Sequence, residues 1–147
     1  MQLPEITSTR FTTETGCQIA VQVPFPQAEA LLQAVRRVCP LTYGHYDQVS
    51  FQTASGIQRF RSVPGGRNAV TDAVVQVPCV ELRFFVPQPP EVLRNVLHVI
   101  YDVHPYEEPV ILVSPCIRTL HITGSDEDNP NRFWNRTAED WVPSEHR

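Results

Sequence analysis

Lysine is absent from all 147 residues, so the twelve basic side chains are all arginine, set against sixteen aspartates and glutamates. That absence excludes lysine nucleophiles and Schiff-base chemistry. A formal charge of −4 without any basic run is a poor electrostatic footprint for nucleic acid. No stretch approaches the roughly 18 consecutive apolar residues needed to cross a bilayer. The polar opening, Met1 to Thr15, lacks the charged start and apolar segment of a secretory signal. Missing too are a C-x-x-C pair, a glycine-rich phosphate loop behind a strand, a nucleophile elbow at Ser50, Ser55 or Ser62, and an H-x-x-x-H pair. The cysteines, Cys17, Cys39, Cys79 and Cys116, lie far apart in or beside apolar stretches. They read as buried, reduced thiols of a cytoplasmic protein and not as a zinc site. No catalytic residue is identified.

What is present describes a single folded domain. Hydrophobic residues make up 41% and charged residues only 19%, a balance that sustains a core where a disordered chain would not. Residues 1–15 form a threonine-rich stretch with weak alternation, expected to be an arm. Cys17, Ile19, Val21 and Val23 then alternate with polar residues at the period of a half-buried strand, which Pro24 ends. Pro26 suits a first helical position, and Ala28, Leu31, Leu32, Val35 and Val38 recur at helical spacing as far as Cys39-Pro40.

Tyr46 to Thr53 alternates again, and Ala54-Ser55-Gly56 reads as a turn before Ile57 to Val63, which predicts a hairpin. Val74 to Val86 is a long β-branched and aromatic run in which Pro78 marks an edge or bulge, because proline cannot donate to a ladder. Pro89-Pro90 opens a second helix with Val92, Leu93, Val96, Leu97 and Ile100 on its apolar face, and Val110 to Val113 is the last strand. Strand, helix, strand, strand, helix, strand is the order of an α+β, ferredoxin-like split βαβ (βαββαβ) fold with both helices on one face of an antiparallel sheet.

The most concentrated chemistry lies in His104-Pro105-Tyr106-Glu107-Glu108-Pro109. Each proline disfavours helix for the residue before it, so the second helix must give way to extended chain here. The two stiffened positions lower the entropy lost in holding side chains in one arrangement. Alternation sends Glu107 and Glu108 to opposite faces, so one carboxylate at most shares a site with His104. Imidazole beside carboxylate suits a borderline divalent ion, zinc or copper, and makes His104 and Glu107 the metal candidates. The opposing reading is a structural corner, with His104 bonded to backbone and Glu107 paired with an arginine. Tyr46 and Asp47 are the nearest candidates to complete a ligand site with His104, Tyr106 and Glu107. His98 reads as solvated on its helix, and His45 beside Tyr46 as a surface residue more readily than a ligand.

This hexapeptide resembles a segment of the CutA-like domain found inside, and sometimes apart from, the YqfO-type dinuclear-metal hexameric proteins of the PII-like superfamily. The likeness extends to Tyr46-Asp47-Gln48-Val49-Ser50-Phe51-Gln52-Thr53, a following glycine turn, Phe60-Arg61 and Pro64-Gly65-Gly66, and to the first strand and helix at Ile19 to Leu32. Val49, Ile57 and the spacing of the bend at residues 65–68 depart from that family's pattern. The dinuclear-metal portion is missing, so its activity is not expected here. The resemblance implies a CutA/PII-like domain over residues 16–117 and a homo-oligomer, a trimer, with clefts between subunits.

Residues 118–147 lie outside the resemblance. They hold both tryptophans, Trp134 and Trp141, with Phe133, Arg132 and Arg136, more aromatic surface than a disordered tail carries. They are expected to pack on the domain or on a neighbouring subunit through those rings, or to dock a protein partner. The first functional expectation is a non-catalytic oligomer that binds or senses a small ligand or divalent metal. An assembly module that scaffolds a protein partner is the second, and an enzyme with a cleft at subunit junctions is the third.

Overall fold

The computed structural model describes residues 2–136, 141 and 143–146. The first alternating segment becomes β1, Phe11–Val23, followed by α1, Phe25–Val38; β2, Phe51–Gln52; β3, Gly56–Phe60; β4, Val75–Pro87; α2, Pro90–Val103; and β5, Ile111–His121. The sheet runs β2-β4-β1-β5, with β3 also on β4, and every pairing is antiparallel. It is the expected ferredoxin-like βαββαβ arrangement.

The core lies on the face beneath the helices. Ile19, Val21 and Val23 of β1 pair with Phe84, Leu82 and Val80 of β4, and all six are buried. Directly opposed antiparallel residues share a face, so each pair adds to one apolar layer. Leu31, Leu32 and Val35 of α1 and Val96 and Ile100 of α2 close over that layer. Val38, assigned to the α1 stripe by spacing, is 40% exposed at the helix end, and Ala34 is buried instead.

Both ends of the sheet overrun the expected boundaries at residues 15/16 and 117/118. Phe11 to Thr15 pair with Ile117 to His121, extending the β1–β5 ladder past the helices. With no helix above it this extension has no deeply buried side, so its side chains carry no strong period-two signal although threonine suits a strand. The arm reading therefore fails from Phe11 onward.

The predicted hairpin is also replaced. β2 and β3 do not pair with each other; Phe51–Gln52 opposes Arg83–Leu82 and Gly56–Phe60 opposes Cys79–Val75, both along β4. The register slips by one residue between them, the signature of a bulge at residues 53–55. Thr53 fastens it: its amide donates to the Glu81 carbonyl at 3.0 Å and its hydroxyl accepts from the Glu81 amide at 2.9 Å. Pro78 opposes Ile57 on β3 and lies beyond the last β1 partner, Val80, so β4 has one neighbour there and tolerates the missing donor.

Among the described residues, no helix packs over the opposite face of the sheet. Phe51, Arg83, Ala20 and Leu112 form one row across four strands there, with Phe51 61% and Leu112 56% exposed.

Candidate functional site

The six-residue corner forms as its prolines require. α2 ends with the His104 amide donating to the Ile100 carbonyl, and His104 itself is extended, at φ −68° and ψ 136°. Its imidazole is buried. The Tyr106 amide donates to Nδ1 at 3.1 Å, which makes that nitrogen the acceptor. Nε2 therefore carries the proton and donates to the Gln22 carbonyl at 2.7 Å. The ring is a neutral strut between α2 and the end of β1. Tyr106 stacks obliquely on it at 5.0 Å, with its phenol held above the usual range by burial and then by nearby Cys79.

Glu107 meets Arg67 through that residue's backbone. Its Oε2 accepts the backbone amide of Arg67 at 3.1 Å and lies against Gly66, so the corner touches the glycine bend at residues 64–67. Two segments singled out in the sequence thus meet in space. Gly65, at φ +108°, supplies a left-handed turn that other residues rarely adopt. No group of three His, Cys, Asp or Glu side chains placed to hold a metal ion occurs among the described residues. An ion at His104 would have to displace the Tyr106 amide or strip the Nε2 proton.

Tyr46 and Asp47 lie elsewhere. The residue 40–49 loop turns back through paired backbone bonds between Tyr43 and Tyr46, with Gln48 and Val49 amides donating to the Pro40 and Leu41 carbonyls. Leu41 and Gln48 are both left-handed, at φ 55°. This loop is tied to Arg118, whose position on β5 is opposite Glu14. His104 meets β1 at Gln22, eight residues along, or ~26 Å at ~3.3 Å per residue. Tyr46 and Asp47 thus belong to a loop tied to the Glu14 end of β1, and His104 to the Gln22 end.

Arg118 organises this second end. Nε donates to Glu14 Oε2 at 2.8 Å, Nη2 forms an ion pair with the same oxygen at 2.6 Å, and Nη1 donates to the Thr42 carbonyl at 2.8 Å. The guanidinium lies 4.0 Å from the Phe85 ring centre and 4.7 Å from that of Tyr43. Gly16 is what lets Phe85 lie there, because a Cβ at Gly16 would stand 2.4 Å from both Phe85 Cζ and the Val86 carbonyl oxygen. Beside the arginine, Glu14, Cys39, Pro40, Leu41, Thr42, Pro87 and Leu120 help line a cavity of about 320 Å³. The cavity escaped sequence reading because Arg118 and Glu14 are 104 residues apart and only the β1–β5 register joins them.

At the Gln22 end, the uncovered face carries a polar chain: Gln58 donates to Gln22, Gln22 to Glu81, and Arg83 to Glu81. The Arg83 hydrogen bond holds the Glu81 carboxyl below its ordinary range, with burial opposing it.

No protein-family model and no curated protein matches the chain. Solved structures do. A Bacillus cereus protein related to NIF3 is 23% identical with a TM-score of 0.61, over 77% of this chain and 29% of that one. The CutA1 protein of Shewanella sp. SIB1 is 12% identical with a TM-score of 0.52, over 70% of this chain and 81% of its own. The periplasmic divalent cation tolerance protein CutA of Archaeoglobus fulgidus is 14% identical with a TM-score of 0.50, over 68% and 82%. The fold is CutA-like. The chain spans under a third of the Bacillus protein, and at these identities the likeness establishes architecture alone. No helix among the described residues is long and apolar enough to cross a membrane.

Proposed function

We propose that this chain is the subunit of a non-catalytic, CutA-like homotrimer that binds a small ligand at the junctions between subunits. The observation that carries the reading is the separation of the two candidate half-sites. His104, Tyr106 and Glu107 stand at one end of the sheet, and Tyr46 and Asp47 belong to the loop at the other. Rotational symmetry of a head-to-tail ring sets unlike ends of neighbouring chains together, so two incomplete halves become one site. The uncovered face, with Phe51 and Leu112 exposed, gives such a ring its apolar contact.

A small organic ligand fits this reading better than a metal, because both imidazole nitrogens of His104 are engaged by backbone. Four free cysteines accord with a reducing, cytoplasmic setting. Native mass spectrometry of protein purified without chelator tests assembly and retained ligand together. Three times the 16.7 kDa chain mass supports the trimer, with retained small-molecule mass supporting the ligand and bound zinc or copper restoring the metal reading. A 16.7 kDa monomer at every concentration overturns the assembly. A scaffolding role is the second reading, favoured by Trp134 and Trp141, which stay 53% and 85% exposed.

A further inference from the structure

Within the C-terminal extension, a carboxylate ties the chain back to the residue ahead of β1. Asp126 is the only acidic residue buried among those described, its side chain 7% exposed. One oxygen, Oδ1, accepts from Arg10 Nη2 and Arg132 Nη2, both at 2.7 Å, and from Asn129 Nδ2 at 3.2 Å. Arg10 also donates to the Ser125 carbonyl at 3.0 Å. The extension then closes on itself, since Asn135 donates from its side chain to the Glu127 and Asn129 carbonyls. The arginine hydrogen bond holds the Asp126 carboxyl below the ordinary carboxylate range, and burial opposes it.

The other oxygen is the anomaly. Oδ2 is buried and has no hydrogen-bond partner among the described residues. A buried acceptor left unmade is costly, and such atoms are uncommon in native proteins. The nearest ion-pair candidate is His121 Nδ1 at 3.7 Å, just beyond bonding distance, on a ring that is 55% exposed and open to solvent protons. The charged groups meeting here are Arg10 ahead of β1, His121 at the end of β5, and Asp126 and Arg132 from the extension. Glu127 and Asp128 adjoin Asp126 in sequence and are exposed. Of the side-chain types meeting here, histidine is the one that can gain a donor by taking up a proton, since an arginine offers only donors and the Asp126 carboxyl is held below the ordinary carboxylate range.

We propose that Asp126 and His121 form a proton-tightened clasp holding residues 122–136 against the N-terminal end of β1. Unprotonated His121 leaves Oδ2 without a donor or offers one only in its Nδ1–H tautomer. Protonated His121 presents an Nδ1–H in every case, and a movement of well under one ångström brings it to Oδ2. The sign follows: the clasped state binds the proton more tightly than the open state, so the clasp strengthens as pH falls through the histidine range. It weakens again only when acid protonates Asp126.

The experiment is amide hydrogen exchange by NMR on the full chain at pH 8.0 and 5.5, corrected for intrinsic exchange. The reporters are Arg132 and Asn135, whose amides donate to the Asn129 and Arg132 carbonyls. Wild-type protection is expected to rise about three- to fivefold on acidification, the size of one partly exposed ion pair. His121→Gln, at an exposed position and neutral throughout, should show no rise. An equal rise in His121→Gln, or none in wild type, overturns the clasp. Independently, the His121 imidazole titration midpoint should fall in Asp126→Asn, and an unchanged midpoint would also overturn it.

Discussion

The two ends of β1 are joined by one strand and built on opposite plans. At the Gln22 end, the His104 imidazole is engaged by the Gln22 carbonyl and the Tyr106 amide and has neither nitrogen left over. At the Glu14 end, a single arginine is gripped by a carboxylate, a carbonyl and two aromatic rings beside an open cavity. The imidazole that stood out in sequence is engaged by backbone on both nitrogens, and an arginine that did not stand out lies beside a cavity. Residue type alone does not distinguish a ligand from a strut; the count of uncommitted donors and acceptors does.

The largest expected effect breaks the first end. His104→Ala removes a buried ring and leaves the Gln22 carbonyl and Tyr106 amide without their partner. It should cost about 2–4 kcal/mol in urea unfolding. A cost below half a kcal/mol would show that the imidazole is not the strut described. Glu107→Gln keeps an acceptor for the Arg67 amide and should change far less, which separates the two members of the corner.

Gly16→Ala comes next and breaks the second end. The added Cβ meets the Val86 carbonyl oxygen, which cannot swing aside, as well as the Phe85 ring. A loss of about 1–3 kcal/mol is expected. Because Phe85 would also be pushed from beneath the guanidinium, Phe85→Ala should recover only part of it in the double variant. Full recovery would mean that the backbone clash is relieved by local movement.

Arg118→Met is expected to cost about 1–2 kcal/mol by leaving Glu14 and the Thr42 carbonyl unpaired. Arg118→Lys should recover little, since one ammonium cannot reproduce the forked contact with Glu14 and the planar contact with Phe85. Smaller again is the acid response of the uncovered face. The Glu81 carboxyl is depressed below 4.5 by Arg83, so its contribution is present above that pH and is lost as pH falls through the folded value. Glu81→Gln should flatten the unfolding free energy between pH 5 and pH 3 by roughly half a kcal/mol or less.

How much of this was legible follows from what repeats in a sequence. Cys17, Ile19, Val21 and Val23 announced β1 because helices cover one side of it, while Phe11 to Thr15 continued the same strand unannounced because no helix covers that end. Ala54-Ser55-Gly56 has the composition of a turn, and only the rival pairing with β4 made it a bulge. The prolines placed the His104 corner correctly, since their effect is local. Arg118, Asp126 and the left-handed Leu41 depend on register and packing between distant segments, which no window of sequence contains. The tail was expected to pack through its tryptophans; Asp126, which sequence did not single out, bonds Arg10 and Arg132, and Trp134 lies edge-on to Phe133 at 5.3 Å while staying half exposed.

The smallest expected effect on stability is the sharpest test of how the two ends are used together. Tyr46 is 75% exposed and Asp47 is exposed beside it. Tyr46→Ala and Asp47→Asn should therefore change monomer unfolding by no more than about half a kcal/mol, as surface substitutions away from special features do. If the ligand site is completed between chains, the same two variants must lower ligand retention or weaken the trimer in native mass spectrometry despite that intact stability. Mixing a Tyr46→Ala chain with a Glu107→Gln chain then decides the matter. In a head-to-tail ring, mixed trimers regain some junctions with both halves intact, whereas a site confined to one chain stays damaged in every subunit. Recovery of binding on mixing supports the shared junction, and a mixture no better than either variant alone excludes it.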